Sequence, residues 1–256
     1  RFNDIANTPL WSCLMGGYAA AVLADQGHEV QHLNAAEKGF SFDYTRQKVA
    51  EIAPDLLLVN TVYIWEHTAI LLHWLADLRK SKLAGHLNLF GFFPTLAWQD
   101  ILAHVPAVDS IAVGECEHTL DRLARQLHQP ETWADIPGLA LNHNGQPLLK
   151  YSRSPEKDPD SFPFPMREEK PGQTAGILAS RGCYNHCRFC PVPSFYNQGP
   201  LWRGRSTPNI MAEITRLRDK GITDYYFLDP NFIGPGHKGL QRTQDLLTSL
   251  EPLEIT

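Results

Sequence analysis

No apolar run in the 256 residues approaches the eighteen or so that a membrane-spanning helix needs, and the first residues do not read as a charged-then-apolar leader. Membrane insertion and secretion are therefore not expected, and a cytoplasmic protein is. Surplus positive charge is missing too: 23 Lys and Arg stand against 28 Asp and Glu, a net charge of −5. A protein that grips a phosphate backbone ordinarily shows a basic face, so no nucleic-acid partner is expected. Cysteine is scarce, and its five copies are unevenly placed. Three fall within eight residues, too crowded for a disulfide framework, which favours reduced thiolates on a metal.

Hydrophobic residues make up 43% of the chain, ample for a core. The crowded cysteines lie in Ser180-Arg181-Gly182-Cys183-Tyr184-Asn185-His186-Cys187-Arg188-Phe189-Cys190-Pro191, spaced C-x3-C-x2-C. The loop follows an apolar stretch, Ala175 to Ala179, that reads as a buried strand. Three thiolates hold three irons of a [4Fe-4S] cubane and leave the fourth iron open to a bidentate ligand. Structural zinc completed by His186 is the alternative, since a closed site wants four protein ligands. Cys13 and Cys116 sit in apolar surroundings and read as small buried hydrophobes.

The chain before this loop alternates helix and strand. A helix over Pro9–Gly27 is followed by a predicted strand at Glu29–Leu33, a helix at Asp43–Ile52 and a continuous apolar strand at Asp55–Thr61. Helices at Glu66–Lys80, Leu96–His104 and Glu117–Leu127 alternate with strands at Leu87–Gly91 and Ser110–Gly114, and Asn144-Gly145 marks a hairpin turn. This order predicts an α/β fold: a Rossmann-like, doubly wound parallel sheet with ligands at the carboxyl ends of its strands. Proline, serine and charge dominate Tyr151–Gly172, a linker. Beyond the cysteine loop, Thr207-Pro208 opens a helix, Asp224–Asp229 is a strand and Leu240–Leu250 a helix, the opening of a partial (β/α) TIM barrel. The expected domains are 1–150, a linker at 151–174, and 175–256. The start at Arg1 and the stop at Glu254-Ile255-Thr256, where a new strand is expected to begin, suggest a piece of a longer polypeptide.

Cys183, Cys187 and Cys190, with aromatic Phe189 before the last, resemble the signature of radical S-adenosylmethionine (radical SAM) enzymes; Trp202-Arg203-Gly204-Arg205-Ser206 and Phe227-Leu228-Asp229-Pro230-Asn231-Phe232 resemble that family as well. The resemblance implies that the cysteines hold the cluster, that its free iron chelates SAM, and that Asp229 and Asn231 receive the SAM amino group near Phe189. An α/β domain directly upstream is similar to the cobalamin-binding domain of one radical SAM subgroup. The matching positions are Thr61, Gly91 and Gly114-Glu115-x-Glu117-x-Thr119, although Cys116 and Phe93 stand where relatives carry glycine and histidine. The glycines would let a flat corrin or its tail approach the backbone. D-x-H-x-x-G is absent, so cobalamin without a histidine lower ligand is expected.

The resemblance implies a cobalamin-dependent radical SAM enzyme, a C-methyltransferase at an unactivated carbon, acting on a small-molecule or peptide substrate and fed by a one-electron reductant such as flavodoxin or ferredoxin. A non-methylating cyclase or rearrangement enzyme, or a non-catalytic corrinoid or iron-sulfur carrier, are the alternatives. A methylthiotransferase is disfavoured, because that family's first domain adds three cluster cysteines and this one offers Cys13 and Cys116. Trp202, Tyr225 and Tyr226 serve equally as pocket or core. His28, His73, His104 and His128 read as solvated or capping residues.

Overall fold

A computed structural model of the chain describes residues 11–35, 38–61, 68–196 and 202–253, with the side chains of 11–13 excepted. The expectations for Cys13 as a core residue and for a strand at the chain's end lie outside these residues. Two compact units divide the chain: Leu23–Arg153, and Arg1–Val22 together with Ser154–Thr256.

The first of these units is a five-stranded sheet. Strands β1 (Leu56–Asn60), β2 (His86–Phe90) and β3 (Ser110–Ala112) run parallel side by side, with Asn60 opposite Phe90 and Phe90 opposite Ala112. β4 (Leu139–His143) and β5 (Gln146–Leu148) then add antiparallel to β3 as a hairpin. The predicted turn is present, with Asn144 at φ 52° and Gly145 at φ 81°, both in the region a tight hairpin turn requires. The strand expected at Glu29–Leu33 is not formed. Its alternating pattern finds no ladder partner among the described residues, and a strand without hydrogen-bonded neighbours is only extended chain.

Between the strands lie helices whose ends the sequence marks. In α2 (Phe42–Ile52) the Ser41 hydroxyl accepts the Tyr44 N–H, and left-handed Ala53 followed by Pro54 stops the helix. α3 (Thr68–Lys80), α4 (Phe92–His104) and α5 (Glu117–Arg125) follow β1, β2 and β3 respectively. Leu75, Leu78, Leu87, Leu89 and Ile111 are all fully buried where α3 and the sheet meet. Burying each such side chain contributes about 1.5–3 kcal/mol over leaving it in water. α4 begins four residues earlier than its apolar spacing predicts, directly from Gly91, because Phe92 and Phe93 are buried and continue the helix back to the strand end.

In the second unit the first helix, α1 (Trp11–Asp25), packs Leu14, Tyr18 and Val22 against Phe162, Leu178 and Leu228. The proline-rich stretch read as linker is thus partly core, with Phe162 only 5% exposed. β6 (Thr174–Ile177) pairs parallel with β9 (Asp224–Phe227). α7 (Thr207–Arg218) and α8 (Gly236–Leu250) cover the pair through Ile210, Ile214, Leu246 and Leu250. β7 (Ser180–Gly182) and β8 (Trp202–Gly204) form a separate antiparallel pair, which the sequence analysis did not anticipate. The cysteine loop and the short helix α6 (Val192–Phe195) leave from β7 and return to β8.

Candidate functional site

Cys183 follows the last residue of β7, Gly182, whose φ of 78° turns the chain out of the strand. Cys183 and Cys190 are half-buried, Cys187 is exposed, and all three are free thiols. Between the last two runs a tight turn closed by the Cys190 N–H to the Cys187 carbonyl at 3.0 Å. The Cys183 sulfur faces two donors, the Asn185 N–H at 3.4 Å and the Asn231 side-chain amide at 3.6 Å. Among the described residues no three His, Cys, Asp or Glu side chains are gathered as tightly as a single metal ion needs. The donor chemistry nevertheless fits an iron-sulfur cluster. Three thiols on one short loop, one of them already facing two N–H donors, are what thiolate ligation of a cubane takes.

Behind the loop, the ends of β6 and β9 are locked together through Asp229. One of its carboxylate oxygens accepts the Ala179 N–H at 3.1 Å and the other a short bond from the Ser180 hydroxyl. Burial pushes the Asp229 carboxyl above the usual carboxylate range, and these two hydrogen bonds pull against that rise. The Asn231 carbonyl accepts the Trp202 indole N–H at 2.7 Å, and the Ser180 oxygen, whose proton goes to Asp229, lies 3.0 Å from it. Arg242 of α8 donates to the Ala179 carbonyl at 2.5 Å and the Arg205 carbonyl at 2.7 Å, while its buried Nη1 has no hydrogen-bond partner among the described residues. Asp229 is therefore engaged with its own chain, and Asn231 is turned towards Cys183. Phe189 is 91% exposed. Tyr226 is exposed too, whereas Tyr225 donates its hydroxyl to the Ile222 carbonyl at 2.5 Å.

The W-R-x-R-S segment has an architectural role. Trp202 clamps Asn231, and Ser206 caps α7 by accepting the Asn209 N–H at 3.3 Å. Arg205 inserts its guanidinium between the Leu178 carbonyl at 3.0 Å, the Tyr18 hydroxyl at 3.3 Å and Glu213 at 2.5 Å. Glu213 is also bonded to Arg167, which reaches Glu169 at 3.1 Å. Burial raises the Tyr18 phenol's pKa above its ordinary value.

The other predicted positions lie at the carboxyl edge of the parallel strands of the first unit. Thr61 donates its N–H to the Phe90 carbonyl at 2.9 Å, but its buried hydroxyl and the Asn60 amide nitrogen have no hydrogen-bond partner among the described residues. Gly91 has φ 110°, and a Cβ there would stand 2.3 Å from the Thr61 carbonyl, so the fold itself demands glycine. Gly114 has φ 79° and donates its N–H to the Thr95 hydroxyl at 3.0 Å. Glu115, Glu117 and Thr119 are buried. The Thr119 hydroxyl donates to the Pro137 carbonyl and accepts from Arg153, each at 2.9 Å. Cys116 is buried as expected. Two orphaned polar groups at this edge fit a polar ligand, a signal that no residue pattern carries. His73 and His104 turn to carbonyls one helical turn back within their own helices, and His28 meets Asp121.

No family model matches the chain. It is 25% identical to cytidylyl-2-hydroxyethylphosphonate methyltransferase of Streptomyces wedmorensis, covering 84% of this chain and 50% of that protein. Anaerobic magnesium-protoporphyrin IX monomethyl ester cyclase of Synechocystis is 26% identical over 82% of the chain and 43% of its own length. Ribosomal protein uS12 methylthiotransferase RimO of Trichlorobacter lovleyi is 27% identical over 79% and 38%. Among solved structures, the radical SAM methyltransferase TsrM of Kitasatospora setae, with cobalamin and a [4Fe-4S] cluster bound, superposes with TM-score 0.68 at 18% identity, over 91% of this chain and 47% of its own. The cobalamin-dependent SAM radical enzyme OxsB, bound to aqua-cobalamin and SAM, gives TM-score 0.73 at 18% identity over 93% and 34%. The two superpositions establish a shared fold. The chain spans half or less of the length of these relatives.

Proposed function

We propose, for a chain whose fold is shared with the cobalamin-binding radical SAM enzymes TsrM and OxsB and whose relatives include a methyltransferase and a cyclase, that it carries the cluster loop and the corrinoid-binding sheet of such an enzyme, a C-methyltransferase at an unactivated carbon. In this reading the parallel sheet belongs to a Rossmann-like cobalamin domain, expected over 1–150 and compact over Leu23–Arg153, and β6 with β9 opens a partial (β/α) barrel over 175–256. The observation that carries the proposal is the trio of free thiols, Cys183, Cys187 and Cys190, on one loop leaving β7.

The chain's own residues would position rather than react. The three thiolates hold a cluster and leave one iron for SAM; Phe189, exposed beside Cys190, offers a face for the bound ligand. Asp229, tied to Ser180 and Ala179, keeps the loop's root on the strand ends, and Asn231 stands next to Cys183. At the other sheet, the Asn60 amide and Thr61 hydroxyl, unpartnered among the described residues, form with Gly91, Gly114, Glu115, Glu117 and Thr119 the edge assigned to cobalamin. When bound, the cluster supplies one electron for SAM cleavage and the corrinoid a transferable methyl group. A one-electron carrier such as flavodoxin or ferredoxin would deliver that electron, and the substrate is a small molecule or peptide.

Anaerobic reconstitution tests the reading. Four irons with four sulfides, a corrin absorption spectrum, and 5'-deoxyadenosine formed with S-adenosylhomocysteine and a methylated product are expected. The same cofactors with 5'-deoxyadenosine but no methylated product would favour the cyclase or rearrangement alternative, which the likeness to the Synechocystis cyclase supports. Iron without SAM cleavage would leave a carrier. Nitrogen superhyperfine coupling from a protein imidazole in the Co(II) EPR spectrum would overturn cobalamin binding without a histidine ligand.

A further inference from the structure

The Asn231 side chain does something the SAM-binding role does not require. Its amide nitrogen lies 3.6 Å from the Cys183 sulfur, while its own backbone carbonyl accepts the Trp202 indole N–H at 2.7 Å. That anchor fixes the Cα from which the side chain reaches out. The amide is therefore placed within donor distance of the sulfur.

We propose that Asn231 is a positioning residue for electron entry: its amide donates a hydrogen bond to the Cys183 thiolate and raises the reduction potential of the cluster that this thiolate holds. The proposal rests on the cluster reading above. Electron gain places more negative charge on the cluster's sulfurs, so a fixed N–H donor stabilises the reduced state more than the oxidised one. Cys183 also accepts the Asn185 N–H at 3.4 Å, but that donor is backbone, and only a proline, which would also alter the loop, removes it. Asn231 is therefore the adjustable donor. The electron itself comes from an external one-electron reductant, and no bond is made or broken at Asn231.

The test compares reconstituted wild-type protein with Asn231→Leu, which keeps bulk without a donor, and Asn231→Ser, whose hydroxyl is too short to reach. Iron and sulfide content is measured first, then the cluster's midpoint potential by EPR-monitored redox titration with no SAM present. Both variants are expected to hold four irons and to be reduced about tenfold less readily, which for one electron is a fall of about 59 mV. Full iron content with a reduction equilibrium within about twofold of wild type overturns the role of Asn231 and leaves the cluster reading standing. A wild-type protein that assembles no cluster overturns both. If only the Leu variant loses iron, the Ser variant decides; loss of iron in both shows that Asn231 serves assembly and overturns the proposal.

Discussion

Glu213 of α7 is 2% exposed and holds two guanidiniums, Arg205 at 2.5 Å and Arg167 through a short contact. Arg205 and Arg167 are themselves only 4% and 6% exposed. Replacing Glu213 by Gln keeps the volume and removes the charge, leaving buried Arg205 without this carboxylate and Arg167 with Glu169. Removing one partner of a buried ion pair costs about 3–5 kcal/mol. Gln still accepts one hydrogen bond, so the lower end, about 3 kcal/mol, is expected. With about 2–4 °C per kcal/mol in a chain of this size, the melting temperature should fall by about 6–12 °C. Calorimetry together with urea unfolding of Glu213→Gln measures this. A loss below about 1 kcal/mol would refute the reasoning, since it would mean that water reaches the pair or that the network rearranges without it.

Gly91→Ala should destabilise the five-stranded unit by about 2–4 kcal/mol, combining a backbone conformation closed to side chains with a Cβ pressed on the Thr61 carbonyl; urea unfolding without any corrinoid checks it, and a neutral result would return Gly91 to a role in ligand approach alone. His86, bonded to Ser110 at 2.7 Å, has its pKa lowered below 6.5 by burial. The folded state then binds fewer protons than the unfolded one just below pH 6.5, so stability should fall as pH drops through that value towards the folded pKa. Unfolding midpoints between pH 7.5 and 5 should show the decline, and His86→Gln should flatten it.

How much of this was legible in the sequence depends on where each residue's partner lies. Asn144-Gly145 announces its turn because the bond that closes it, the Gly145 N–H to the Asn142 side chain, spans three residues; Ser41 and Ser206 cap α2 and α7 over the same short span. The C-x3-C-x2-C spacing is likewise local. Glu29–Leu33 was misread for the opposite reason: alternation marks a chain that is able to pair, and only a neighbouring strand makes it do so. Tyr151–Gly172 has a linker's composition, yet Phe162 and Arg167 are buried within it through partners 144 residues upstream, Tyr18, and 46 downstream, Glu213. The internal bonds of Thr119 to Pro137 and Arg153 were invisible for the same reason.

Asp229 brings the two kinds of information into competition, since the motif assigns it to SAM and the structure binds it to Ser180 and Ala179. The two roles separate in the ligand-free protein. If Asp229 only awaits a ligand, replacing it leaves stability unchanged, or raises it, because burial already disfavours its charge. If it holds the strand ends, the outcome depends on which acceptors survive. Asp229→Asn keeps an oxygen for the Ala179 N–H, and its new NH2 can donate to the Ser180 hydroxyl, which then donates to the Asn231 carbonyl 3.0 Å away. The loss of one charged bond and the relief of a buried charge nearly cancel, so a change within about 1 kcal/mol is expected. Asp229→Leu abandons the buried Ala179 N–H, at a cost of about 1–3 kcal/mol. Urea unfolding of the two variants side by side gives the answer. A Leu variant as stable as the Asn variant would sink the strand-holding role and return Asp229 to the ligand.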